Sequence, residues 1–119
     1  MTTSDVLEQV CALTYGDAAA KREMAGGFLI RLNLRLGEEF DLNNALRQRA
    51  GKGALAAAPT LADGEEIPYE PALTRLLAYA LAGDLFAEED ETGMSNVYRE
   101  RYEQGRQAIA PVFWGQVGA

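Results

Sequence analysis

The side chains best able to do chemistry in this 119-residue chain are carboxylates, and they fall in two clusters. The first is Asp63, Glu65, Glu66 and Glu70; the second is Asp84, Glu88, Glu89, Asp90 and Glu91. Carboxylates close together can work as an acid–base pair or hold calcium or magnesium. The spacing here suits neither use. Glu88-Glu89-Asp90-Glu91 is contiguous, whereas a calcium loop needs ligands at alternate positions around a central glycine. Contiguous acids in a turn read as a solvated surface.

Other reactive residue types are scarce. The chain has no histidine, so the commonest general base and the commonest zinc ligand are both missing. A single cysteine, Cys11, can form neither an internal disulfide nor a thiolate metal cluster. It falls among apolar residues at helical spacing and reads as core. Gly93-Met94-Ser95-Asn96-Val97 lacks the closing glycine of a hydrolase elbow, so Ser95 reads as a helix cap. Gly51-Lys52-Gly53 lacks the flanking glycine and hydroxyl of a phosphate loop and reads as a turn. The expectation is a protein that is not an enzyme, with no cofactor and no metal.

Charge narrows the partners. Eleven Lys and Arg stand against 18 Asp and Glu, giving a net charge of −7 and a pI near 4.5. Tight nucleic-acid binding draws on cations that neutralise phosphates, so specific nucleic-acid binding is not expected. The same argument disfavours an anionic membrane surface. Arg31, Arg35, Arg47 and Arg49 form the one basic region, read as an exposed helical face or a contact for an acidic partner. MTTSDVLEQV has no basic or apolar signal segment, and no apolar run approaches a membrane span. The reading is a soluble, intracellular protein.

Periodicity supplies the elements that must position these residues. Val6, Leu7, Val10 and Cys11 share a face of a helix over 4–14, capped by Thr3 or Ser4. Tyr15-Gly16-Asp17 breaks it, and a second helix begins near Ala18. Gly26-Gly27 marks a kink, an end or a close-packing site in that segment. Residues 30–36 alternate like a strand, but Leu29, Leu32, Leu36 and Phe40 keep helical spacing, and flanking helix formers favour helix. Asp41 caps a short helix over 42–49, and an irregular connection punctuated by Pro59, Gly64 and Pro68 follows.

Pro71 opens a helix that is apolar on nearly every side, carrying Leu73, Leu76, Leu77, Tyr79, Leu81, Leu85 and Phe86. Such a helix belongs at the centre of a bundle, and Gly83 would let a neighbour approach. The last helix carries Met94, Tyr98, Tyr102, Gly105 and Ile109 as its stripe, pairs Arg99 with Glu103, and stops before Pro111. The predicted fold is an all-α, single-domain bundle of four to five helices around a central apolar helix. It spans residues 1–110, followed by an uncharged aromatic C-terminal tail, residues 111–119. In that tail Val112, Phe113 and Trp114 either fold back on the core or anchor in a neighbouring subunit, since aromatics dominate interface hot spots.

Several segments together resemble small tailed-phage and prophage proteins. They are Ala58-Pro59-Thr60-Leu61, Gly64-Glu65-Glu66-Ile67-Pro68-Tyr69, the Leu76 to Phe86 helix, the acidic turn and the Tyr-x-x-x-Tyr helix. Arg31-Leu32-Asn33 through Leu46-Arg47 looks like the middle of the same proteins, so the resemblance covers residues 28–110. The group is similar to the all-helical head–tail connectors, or adaptors. In that group a ring of subunits docks beneath the portal after DNA packaging and links it to the tail. The chain departs from some connectors in lacking a long hydrophilic β-hairpin loop.

The resemblance implies a homo-oligomeric ring with portal and tail proteins as partners. It also implies a location in the bacterial cytoplasm during assembly and at the virion head–tail junction afterwards. Under that reading Asp63, Glu65, Glu66, Glu88, Glu89, Asp90 and Glu91 face the DNA channel, where acidic walls repel phosphates. Val112, Phe113, Trp114, Arg31 and Arg35 are the expected assembly interface. A small helical interaction module, such as a prophage-encoded scaffold or inhibitor, shares the same composition and would stay monomeric.

Overall fold

The computed structural model describes residues 1–14 and 18–110, and among them it is all-α. Helix α1 (Thr3–Leu13) starts one residue earlier than its sequence predicts. Thr2 is the cap: its hydroxyl accepts from the Asp5 N–H at 3.2 Å, and the Asp5 carboxylate accepts from the Thr2 N–H at 2.8 Å. Thr3 is unavailable as a cap because its buried hydroxyl accepts instead from the Gly64 N–H at 2.7 Å. Val6, Leu7, Val10 and Cys11 are buried as their spacing requires. Tyr15, Gly16 and Asp17, the expected break, lie outside the described residues.

Helix α2 (Ala18–Glu38) runs through Gly26-Gly27 without ending. A Cβ on Gly27 would touch nothing, so that glycine is not a close-packing site. Phe28, Leu32 and Leu36 recur every fourth residue and are buried, which holds the helix despite the glycine penalty of about 1 kcal/mol. The strand-like alternation resolves into two faces, with Ile30 and Leu34 left outside. Helix α3 (Phe40–Arg49) follows after one residue, so Glu39 rather than Asp41 stands at the junction. Asp41 sits in the first turn, where its charge suits the helix terminus. Beyond the last turn, the Lys52 N–H reaches the Arg47 carbonyl at 2.8 Å and Gly51 adopts φ +79°. Those bonds, with Gly51 N–H to the Gln48 carbonyl at 3.1 Å, form a Schellman closure.

The connection over 54–70 is irregular, as read, and asparagines fasten it. Asn33 accepts from the Leu61 N–H at 2.9 Å and donates to the Leu61 carbonyl at 3.1 Å. Asn44 does the same for Leu55, at 2.8 and 3.2 Å. Buried Asn43 accepts from the Glu70 N–H at 2.8 Å, just ahead of the next helix. Each carboxamide stands in for a missing backbone partner. Near residue 66 the segment also pairs with the first residues of the chain, through Thr3 N–H to the Glu65 carbonyl and Ile67 N–H to the Met1 carbonyl.

Helix α4 (Pro71–Glu88) has Pro71 in its first turn and packs against α1, α2 and α5. It is the central helix, with Leu73, Leu77, Ala78, Ala80, Leu81, Ala82 and Phe86 buried. Its end repeats the Schellman pattern: Glu91 N–H to the Phe86 carbonyl at 2.9 Å and Asp90 N–H to the Ala87 carbonyl at 3.3 Å. Asp90 takes the left-handed position, φ 59°, that glycine usually fills. Helix α5 (Thr92–Ile109) returns along α4. Ser95 is buried and donates to the Gly83 carbonyl at 2.8 Å, so it is a helix-packing residue rather than a cap. Gly83 does admit a close neighbour: a Cβ there would lie 3.1 Å from Arg99 Cγ. The stripe shifts accordingly, burying Ser95, Tyr98 and Tyr102 and leaving Met94 outside. The domain measures 45 × 30 × 17 Å, a flat slab.

Candidate functional site

The two acidic clusters divide by role once folded. Glu70 takes Lys52 Nζ at 2.9 Å, with Arg47 Nη1 at 4.0 Å. Asp84 takes Arg35 through two bonds, at 2.6 and 3.1 Å, and Arg99 lies 3.9 Å away. Glu88 pairs with Arg31, and Glu66 with the Met1 amino group. Asp63, Glu65, Glu89, Asp90 and Glu91 are exposed. Among the described residues no three acids, cysteines or histidines converge to hold a metal ion.

Arg31 and Arg35, expected at an assembly interface, are spent on bridging α2 to the C-terminal half of α4. Arg47 donates to the Gly53 carbonyl at 2.7 Å and closes its own turn. Burial opposes the Arg35 charge, but the bidentate Asp84 contact outweighs it and holds the guanidinium above its ordinary pKa. Arg99 and Glu103 take other partners than each other, Asp84 and Arg106 respectively.

A buried polar seam between α2 and α5 carries no sequence motif. Glu39 is 4% exposed and accepts from Arg106 Nε at 2.9 Å. The Tyr102 ring lies near two guanidinium groups, with Arg35 Cζ 5.6 Å and Arg106 Cζ 6.0 Å from its centroid. Its buried hydroxyl has no partner in good hydrogen-bonding geometry. Burial first, and Glu39 second, push the Tyr102 phenol far above its usual pKa. Tyr69, whose hydroxyl donates to the Leu36 carbonyl, is pushed up to about 12 by burial and then by Glu39. For Arg106 burial again opposes the charge, and the Glu39 contact more than compensates. The two phenols stay neutral and the two guanidinium groups stay charged at neutral pH, and the contacts between them fasten the helices. Its one sequence signal is an acid, Glu39, in line with the apolar face of α2.

Clefts open on the described surface, two of them beside α4. One, of about 290 Å³, lies between α1 and α4 and is lined by Gln9, Ala12, Leu13, Arg75, Ala78 and Tyr79. The other, of about 300 Å³, lies beside the start of α4 and contains a single carboxylate, Glu66. Neither brings two titratable acids together, so no acid–base pair is assembled in them.

The described surface also carries exposed apolar side chains. Ile30 and Leu34 on α2 are 66% and 63% exposed, and Met94 and Val97 on α5 are 41% and 42% exposed. Val112, Phe113 and Trp114 lie outside the described residues. No family model, curated protein or solved structure matches this chain. Among the described residues no helix is long and apolar enough to cross a membrane.

Proposed function

We propose that the chain is a non-enzymatic structural subunit of a tailed phage or prophage, a head–tail connector that assembles as a ring between portal and tail. The observation that carries this reading is the pair of exposed apolar sites, Ile30 with Leu34 and Met94 with Val97. Large apolar side chains held in water at two places on one small domain favour association with other chains. A flat slab 17 Å thick suits a repeated wedge in a ring. The exposed acids Asp63, Glu65, Glu89, Asp90 and Glu91 suit a channel that must pass DNA without binding it.

Native mass spectrometry of the 12.9 kDa chain tests the proposal, alone and mixed with the portal protein of its own genome. A closed ring in either sample supports it. A chain that stays monomeric in both, or a genome without a portal gene, overturns it and favours a monomeric interaction module.

A further inference from the structure

The two exposed apolar sites carry the same pattern along their helices. On α2, Ile30, Leu34 and Glu38 follow one another every fourth residue, and all three are exposed. On α5, Met94, Val97 and Arg101 follow at three- and four-residue steps, again all exposed. Each reads apolar, apolar, charged in the chain direction, and the final charges are opposite. With a rise of about 1.5 Å per residue, Ile30 set against Met94 brings Leu34 beside Val97 and Glu38 beside Arg101, each within roughly one residue's rise. That match holds only for helices laid parallel. Turned antiparallel, Glu38 and Arg101 would lie at opposite ends of the contact.

The surroundings favour close approach. Gly27 and Gly37 flank the α2 pair on the same exposed face, and a Cβ on either would meet nothing. Arg101 lies over the Tyr98 ring, 5.6 Å from its centroid, and has no carboxylate partner among the described residues. Glu38 receives Arg35 Nη1 at 3.2 Å and keeps most of its side chain in solvent. Ile30 and Leu34 cannot turn inward, because the inner face of α2 is already filled by Phe28, Leu32 and Leu36.

We propose that the exposed α2 stripe (Ile30, Leu34, Glu38) of one copy docks in parallel on the exposed α5 stripe (Met94, Val97, Arg101) of a second copy. The inference rests on the ring reading above and deepens it by naming the surfaces that meet. Two different patches make a head-to-tail contact, which leaves one of each patch free at the ends of a dimer. Such a contact propagates until it closes into a ring or extends as a filament.

The test uses the full chain in two double variants, Ile30→Asp with Leu34→Asp, and Met94→Asp with Val97→Asp. All four positions are solvent-facing, and circular dichroism checks that each variant keeps the helical fold. Native mass spectrometry is run under the condition in which the wild type forms its ring. Each variant alone should be monomeric, because every contact in the ring uses both stripes. Mixed, the two should form a 1:1 dimer and stop, since each partner supplies the stripe that the other lacks. Arg101→Glu should weaken wild-type self-association at least tenfold, and adding Glu38→Arg should restore it. If either variant still closes a ring, or if the mixture stays monomeric, the stripe assignment falls while the ring reading stands. If the wild type never associates, both fall together.

Discussion

Glu39 and Arg106 meet at 2.9 Å across the α2–α5 seam, joining positions 67 residues apart in the chain. Glu39 is buried, and Arg106 is the cation that reaches it. Removing one member of a buried pair strands the other and costs roughly 3–5 kcal/mol when both are fully enclosed. The Arg106 side chain is 26% exposed, so water offsets part of that cost. Arg106→Ala should therefore destabilise by about 2 kcal/mol. Glu39→Gln, which keeps an acceptor and loses the charge, should cost less, about 1 kcal/mol. Urea unfolding of both variants decides it, and equal losses would mean the seam holds by packing alone.

At Gly105 helix α5 comes close to the Leu76 side chain of α4. A Cβ there would sit 2.4 Å from Leu76 Cδ2 and 3.1 Å from Cδ1. Alanine normally gains about 1 kcal/mol over glycine inside a helix. Here the added methyl meets only the terminal carbons of the half-buried Leu76, which must turn aside, so that gain is offset and Gly105→Ala should leave stability within about 0.5 kcal/mol. Truncating the neighbour releases the full gain. In a Leu76→Ala background, Gly105→Ala should stabilise by up to about 1 kcal/mol. A double-mutant cycle with no coupling would count against this contact.

Asp90 explains one member of the acidic run that chemistry did not. Its φ of 59° is left-handed, where a side chain costs energy that glycine avoids. Its charge also sits at the negative end of α4. Asp90→Gly should raise stability by about 0.5–1 kcal/mol, read as a higher urea midpoint with an unchanged slope. A loss of stability would show that the carboxylate has a partner worth more than the strain.

How far the fold was legible turns on which signals are local. Pro71 and the continuous apolar surface of Leu73 to Phe86 announce a central helix because helix starts and burial are written in neighbouring residues. Ile30 to Leu36 was ambiguous between periods, and the buried set Phe28, Leu32 and Leu36 decides it. The asparagine clamps were missed, although Asn33, Asn43 and Asn44 are poor choices for helix interiors and so were a signal. Their partners at Leu61, Glu70 and Leu55 are fixed only by the tertiary fold. The same holds for Arg35, whose carboxylate lies 49 residues away, and for Ser95, which looked like a cap until Gly83 came within reach. The acids split into structural and exposed members for that reason: sequence shows a charge, and only packing shows whether it has a partner.

Alkaline pH tests the buried tyrosines directly. Tyr69 and Tyr102 both hold their protons more tightly when folded than the ordinary phenol, near 10, does. The native state therefore binds more protons than the unfolded chain once pH exceeds that value. Linkage then requires stability to be intact below about pH 10 and to fall as pH rises towards 12, where Tyr69 itself ionises. The phenolate absorbance of Tyr69 and Tyr102 should accordingly appear only above pH 10 and together with the loss of helical circular dichroism. Tyr102→Phe should remove part of the alkaline sensitivity and leave neutral-pH stability within about 1 kcal/mol, because the hydroxyl it deletes has no well-placed partner. A single ionisation step near pH 10, with the helices intact throughout, would show that neither phenol is enclosed.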